Sequence, residues 1–269
     1  MKNVIFLIAA ASKHEYLYKK HGGFKYFKYS IPSWEYWCEK NNVELVIYDT
    51  PSDDEHIQHK PTWQRWFDVF NQLDKTTIKY NKIALIDACT IIRWDTPNFF
   101  DFVDNGEVNL FRSLENIRWV NESVTGYEDF FKSHYGDFKF DLKKYSSCGW
   151  QIFDKEHKVF LEKQKSFYYE NYDDIMLLQN DKVRRGTDQP VYNYLLQTEN
   201  VNVVHKLPPS YLNHLHRFDW LSYNWQLKQD ETPFFIKNGY IWFYSGFPQR
   251  GGREDMMKQT WDIIKERYV

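Results

Sequence analysis

Cysteine is scarce in this chain of 269 residues: Cys38, Cys89 and Cys148 are the whole set. Three scattered thiols cannot build a disulfide framework, and the usage fits a reducing, cytoplasmic setting. Long hydrophobic runs are also missing. Nothing approaches the roughly 20 apolar residues that cross a bilayer, so no membrane span is expected. The opening run Val4-Ile5-Phe6-Leu7-Ile8-Ala9-Ala10-Ala11 has the length of a signal core. It follows one Lys directly and leads into Ser12-Lys13-His14-Glu15, so it reads as a first buried strand.

Excess charge of either sign is absent. The 35 Lys and Arg face 37 Asp and Glu, for a formal net charge of −2. No global basic field favours nucleic acid. Patterns that mark other enzyme classes are absent as well. There is no Gly-x-Gly-x-x-Gly, P-loop or Gly-x-Ser-x-Gly, which argues against dehydrogenase, nucleotidase and hydrolase. His205, His214 and His216 have no Cys or carboxylate at zinc-ligand spacing. No repeat, low-complexity tract or linker divides the chain, so one domain over 1–269 is expected. The sequon Asn121-Glu122-Ser123 carries no meaning in a cytoplasmic protein.

Aromatic residues are abundant, at 19% with 11 Trp, 20 Tyr and 21 Phe. Broad faces with polar tips suit sugar stacking and ordinary core packing alike. Hydrophobic patterning predicts strands at 4–10, 44–49, 82–87, 108–111, 149–153 and 201–205. It predicts helices at 33–41, 62–73, 97–103, 155–169, 187–197 and 253–267. The helix at 33–41 follows the breaker Pro32, and Pro61 sits at the start of the next. The βαβαβ opening implies an α/β fold with a mainly parallel, Rossmann-like central sheet flanked by helices. Residues 114–147 are polar, aromatic and weakly periodic, which reads as a functional loop or lid.

The strand at 82–87 stops on Asp87. In open α/β sheets, ligands sit in the crevice at the carboxyl ends of the strands, so this carboxylate is aimed at a candidate site. Asp49 ends the previous strand, where it either faces the base and ribose end of a nucleotide or simply begins the Asp49-Thr50-Pro51 turn. Ala9, Ala10 and Ala11 leave room for a base to approach the backbone, and small residues equally suit tight helix-sheet contact. Asp188 and Gln189 open a helix, where Asp is also a common cap.

Several ordered segments resemble glycosyltransferase family eight and its GT-A relatives, over residues 1 to about 265. Ile83-Ala84-Leu85-Ile86-Asp87-Ala88-Cys89-Thr90 is similar to the strand leading to Asp-x-Asp. Ser147-Cys148-Gly149-Trp150-Gln151-Ile152-Phe153 resembles the Asn-Ser-Gly segment. Gly186-Thr187-Asp188-Gln189-Pro190-Val191-Tyr192-Asn193 resembles the Asp-Gln-x-x-x-Asn helix start. Leu207-Pro208-Pro209-Ser210-Tyr211-Leu212-Asn213 and Ile241-Trp242-Phe243-Tyr244-Ser245-Gly246 resemble two late segments of the family.

The resemblance implies a GT-A nucleotide-sugar-binding fold, with a nucleotide-binding half at 1–113 and an acceptor-side half at 114–269. It implies transfer of a hexose or related sugar from a nucleoside diphosphate donor, UDP-sugar first, to a glycan or small-molecule hydroxyl, with retention. Asp188 and Gln189 would lie beside the anomeric carbon. Donor contacts would come from Asp87, Cys89, Cys148, Gly149 and Gly246.

In the family, two carboxylates and a late His hold the metal. Here Cys89 replaces the second carboxylate and Trp242 the His, leaving Asp87 as the metal ligand. Hard Mn²⁺ or Mg²⁺ gains little from a thiol or an indole. Either Asp87 and the phosphates bind metal weakly, or cations from Lys60, Arg65, Arg250 and Arg253 replace it. The loss of ligands also motivates a second reading, a non-catalytic protein of this fold that binds a sugar nucleotide or glycan.

Overall fold

Val4, Ile5, Phe6 and Leu7 are completely buried, which requires cover on both faces of the strand that carries them. The computed structural model describes residues 1–58, 60–113, 117–208, 211–214, 228–229, 232–245 and 252–269. Strand β1 (Lys2–Ile8) runs between β2 (Glu44–Tyr48) and β3 (Tyr80–Asp87), parallel to both. Beyond β3 lie β6 (Ser146–Asp154), β5 (Val108–Arg112) and β7 (Val203–Val204). The order is β2-β1-β3-β6-β5-β7, and β6 runs against its neighbours β3 and β5. The sheet is therefore mixed and mainly parallel.

Alternation along the strands divides the interior in two. Ile5 and Leu7, with Ile86 and Trp150, pack beneath α2 (Phe27–Asn41) and the closing helix Gly252–Ile264. Val4 and Phe6, with Leu85 and Phe153, pack beneath α4 (Gln64–Leu73), α6 (Lys158–Glu170) and α8 (Asp188–Thr198). A smaller sheet sits against the first core. In it β11 (Ile241–Phe243) pairs antiparallel with β4 (Thr90–Ile92) and parallel with β8 (Leu212–His214).

Two expectations need correction. Residues 114–147 are not mainly loop: α5 (Ile117–Tyr135) fills most of the segment. Its buried face is Val120, Ser123, Val124, Tyr127 and Phe131, a helical spacing in which Ser and Tyr stand where aliphatic residues give the stronger signal. Gly126 lets the helix approach Val183, since a Cβ there would lie 2.6 Å from a Val183 methyl. Nor does Pro32 break the chain ahead of a helix at 33–41, because α2 starts at Phe27 and carries Pro32 inside it. At its far end Asn42 adopts φ +53°, and the Val43 amide donates to Cys38 O at 2.9 Å, closing the helix as a Schellman turn.

Candidate functional site

The carboxyl ends of β1, β2 and β3 meet the amino ends of α4 and α8, and charged groups converge there. Asp87 closes β3, and Ala88 and Cys89 turn the chain into β4. The turn is pinned from several sides. Thr90 Oγ1 donates to Asp87 O at 2.7 Å, the Trp34 indole donates to Thr90 Oγ1 at 3.1 Å, and the Tyr244 amide donates to Cys89 O at 2.8 Å.

Arg65, in the first turn of α4, bridges two carboxylates. One arm of its guanidinium pairs with Asp87, and the other with Asp188 Oδ2 at 2.5 Å. Side-chain exposure is 6% for Arg65, 4% for Asp188 and 25% for Asp87, so Asp87 is the member that reaches the crevice. Asp188 is further held by the Trp66 indole at 3.0 Å and the Thr187 hydroxyl at 2.8 Å. Burial works against its charge, but the Arg65 guanidinium and these donors outweigh that and keep the carboxyl below its ordinary range. For Asp87 the balance is reversed. Burial, aided by the Asp188 charge, pushes it up despite Arg65 and Arg253.

Around this triad the expected residues take different positions. Ala9 is buried and Ala10 half-buried just past β1, with the Ala9 amide donating to Tyr48 O at 2.9 Å. Asp49 is exposed on the rim. The loop that carries it is fixed by Gln64, whose amide donates to Tyr48 OH at 2.7 Å and Thr50 O at 2.6 Å and accepts from the Ser52 amide at 3.1 Å. Gln189 is half-buried beside Asp188. Asn193, one turn on, donates to Gln189 O at 2.8 Å and to Ser146 O at 2.9 Å, lacing α8 to β6.

Cys148 is buried, and burial and then the Asp188 charge raise its thiol well above the usual range. A side chain on Gly149 would overlap the Phe243 ring, so this glycine lets the small sheet pack on β6. Arg253 is half-buried in the first turn of the closing helix. Its Nε donates to Tyr244 O at 2.8 Å and its Nη1 to Tyr26 OH at 3.2 Å. Gly246 and Arg250 lie outside the described residues.

The metal implied by the resemblance is a poor fit. Asp87 is committed to Arg65. Cys89 is buried, and burial pushes its thiol up to about 12. Trp242 is fully buried, with its indole N–H on Phe235 O at 3.0 Å. Among the described residues, no group of three or more His, Cys, Asp or Glu is placed to hold an ion. The donors at this turn do not suit Mn²⁺ or Mg²⁺.

Sequence reasoning missed the Arg65–Asp188 link and Trp66. A signal was available: Arg65 lies between Trp63, Trp66 and Phe67, and an arginine on a helix's apolar side needs a buried carboxylate. It also missed the contact of His205 Nε2 with Ser146 Oγ at 2.9 Å. Ser146 Oγ also lies 3.0 Å from Lys144 O, to which it donates.

No protein-family model matches the chain, and no curated protein matches it. Solved structures do. A glycosyltransferase involved in glycosylation of the major capsid of PBCV-1 is 11% identical, over 96% of this chain and 100% of that one, with a TM-score of 0.54. The bifunctional glycosyltransferase WbbM is 15% identical at a TM-score of 0.50, over 99% of this chain but 51% of that one. The galactosyltransferase LgtC, solved with donor and acceptor sugar analogs, is 12% identical over 98% of this chain and 95% of that one, at 0.48. At these identities the likeness carries the fold alone: this is a mixed α/β chain with a mainly parallel central sheet flanked by helices, the GT-A fold that those structures also have.

Proposed function

We propose that this protein is a glycosyltransferase that moves a sugar from a nucleoside diphosphate donor, UDP-sugar first, to a hydroxyl of a glycan or small molecule. One observation carries the reading. In a fold shared with glycosyltransferases, Arg65 joins Asp87 and Asp188 at the carboxyl ends of the strands, where a donor would lie. Ala9, Ala10 and the Asp49 loop then face the nucleoside, and Gln189 faces the sugar.

In the reaction, the bond from the anomeric carbon to the phosphate oxygen breaks and its electron pair stays on the diphosphate. The acceptor oxygen bonds to that carbon, and its proton passes to the leaving oxygen. Delivery on the same face as departure gives retention. Asp188 has its oxygens occupied by Arg65, Trp66 and Thr187, so its part is to fix the start of α8. Gln189 is the neighbour that offers its amide oxygen to developing positive charge on the sugar.

Incubation with UDP, GDP, ADP and CMP sugars tests the proposal. Nucleotide release is expected with one class. The Gln189→Ala variant should lower kcat by about 10²-fold with an unchanged unfolding midpoint. Absence of binding and of release across all four classes would sink it. Tight binding without release would favour the non-catalytic binder, a reading motivated by the buried Cys89 and Trp242.

A further inference from the structure

A diphosphate leaving group needs positive charge beside it, and the turn after β3 is poorly equipped to hold a metal. Arg253 stands beside this turn, since the Tyr244 whose carbonyl it holds donates its own amide to Cys89 O. Arg253 is anchored by a carbonyl and a phenol, neither of which cancels its charge, and its guanidinium carbon sits 5.0 Å from the centre of the Tyr26 ring. The Asp87 carboxylate lies within its electrostatic reach, but that group is already paired with Arg65.

A second element brings more charge to the same place. Helix α1 (Glu15–Lys20) ends in Lys20, followed by His21. The His21 ring lies 5.3 Å from Phe24, and Phe24 lies 6.0 Å from Tyr26, which puts the end of α1 on the Arg253 side. Lys60 stands half-buried just before α4, within electrostatic reach of Lys20. Among the described residues no carboxylate forms an ion pair with Lys20, Lys60 or Arg253. The strain of this gathering is visible in its members. Burial and then Lys20 lower the Lys60 ammonium, while burial, Arg253 and Lys20 push His21 down to about 4. Half-buried cations with no carboxylate paired to them are the electrostatic form of a site for a polyvalent anion.

We propose that Arg253, Lys60 and Lys20, on the Arg253 side of the turn that carries Asp87, take the diphosphate of the donor in place of a divalent metal. The inference rests on reading the crevice as a nucleotide-sugar site. It reverses the role of Asp87. In a metal site this carboxylate would attract the phosphates through the ion, whereas here it is a nearby negative charge that opposes them.

Calorimetric titration of the full chain with UDP, GDP and inorganic pyrophosphate, in EDTA and then with Mn²⁺, tests the assignment. Pyrophosphate reads the cation site whatever the base. Binding in EDTA is expected within about threefold of that with Mn²⁺, and it should weaken steeply with salt. Arg253→Met and Lys60→Met should each weaken it by about tenfold, with Arg253→Lys recovering part of the loss. Asp87→Asn should tighten pyrophosphate binding several-fold. Lys60 and Lys20 are only half-buried and make no ion pair among the described residues, so Lys60→Met and Lys20→Met retain the test should Arg253→Met fail to fold. Binding that needs Mn²⁺ and disappears in Asp87→Asn overturns the cation assignment and leaves sugar transfer standing. Metal-free binding that ignores all three substitutions also overturns it. Failure of every nucleotide and of pyrophosphate to bind under both conditions overturns the assignment together with the donor-site reading beneath it.

Discussion

Arg65 holds its charge in a nearly dry place because two carboxylates share it. Burial alone would lower its basicity, but Asp188 and then Asp87 more than compensate, and the guanidinium is held above its usual range. Arg65→Met leaves both carboxylates without their main counter-charge, one of them fully buried. It should cost about 3–5 kcal/mol, read as a fall in the urea midpoint at constant slope. Arg65→Lys should recover only part, since one ammonium cannot span both partners. Asp87 was legible in the sequence because a buried strand ends on it. Its bond to Arg65, and the reach of Arg65 to Asp188 across 123 positions, were not. Local patterns speak to the secondary structure of a segment but leave open which distant residue it will meet. Hence Arg65 reads as a phosphate ligand in the sequence and as the bridge between two acids in the structure.

Among the elements, β6 and β11 meet at a contact that depends on the absence of a side chain. Gly149→Ala should force the Phe243 ring aside and cost about 1–3 kcal/mol. The Gly149→Ala, Phe243→Leu double variant should regain part of this, measured as a thermal midpoint. Such couplings are invisible in sequence, where Gly149 looks like a donor contact. Strong apolar runs, by contrast, announce themselves. Strand β3 and helix α4 lie within a few residues of where patterning puts them. Helix α5 went unseen because its buried stripe includes a serine and a tyrosine, and because a glycine, usually a helix breaker, sits at the tightest packing point.

Across the whole molecule, acid should loosen the fold in a definite direction. His21 and His205 are both pushed down to about 4, each chiefly by burial, with Arg253 and Lys20 acting on the first and Arg112 on the second. Unfolded histidine takes its proton near pH 6.5. Between the two values the unfolded chain carries more protons. Stability is thus complete above about pH 6.5 and is lost as pH falls toward 4. Asp87, pushed up, acts in the opposite sense over part of that range. After allowance for solvent screening the two histidines together contribute about 1–2 kcal/mol. The His21→Asn, His205→Asn double variant should flatten the dependence of the denaturation midpoint on pH. A slope equal to that of the natural chain would show that carboxylates dominate. The alternation of strand and helix made the α/β class readable, but the reversed direction of β6 was not, since direction follows from pairing.

That reversed strand has a temporal meaning. Strand β3 is complete at residue 87, yet the partner for its open edge spans residues 146–154. A chain emerging from the ribosome thus carries an unpaired apolar margin for some sixty residues of synthesis. Over that interval the nascent protein is most exposed to sticking to its neighbours, and a chaperone would have most to shield.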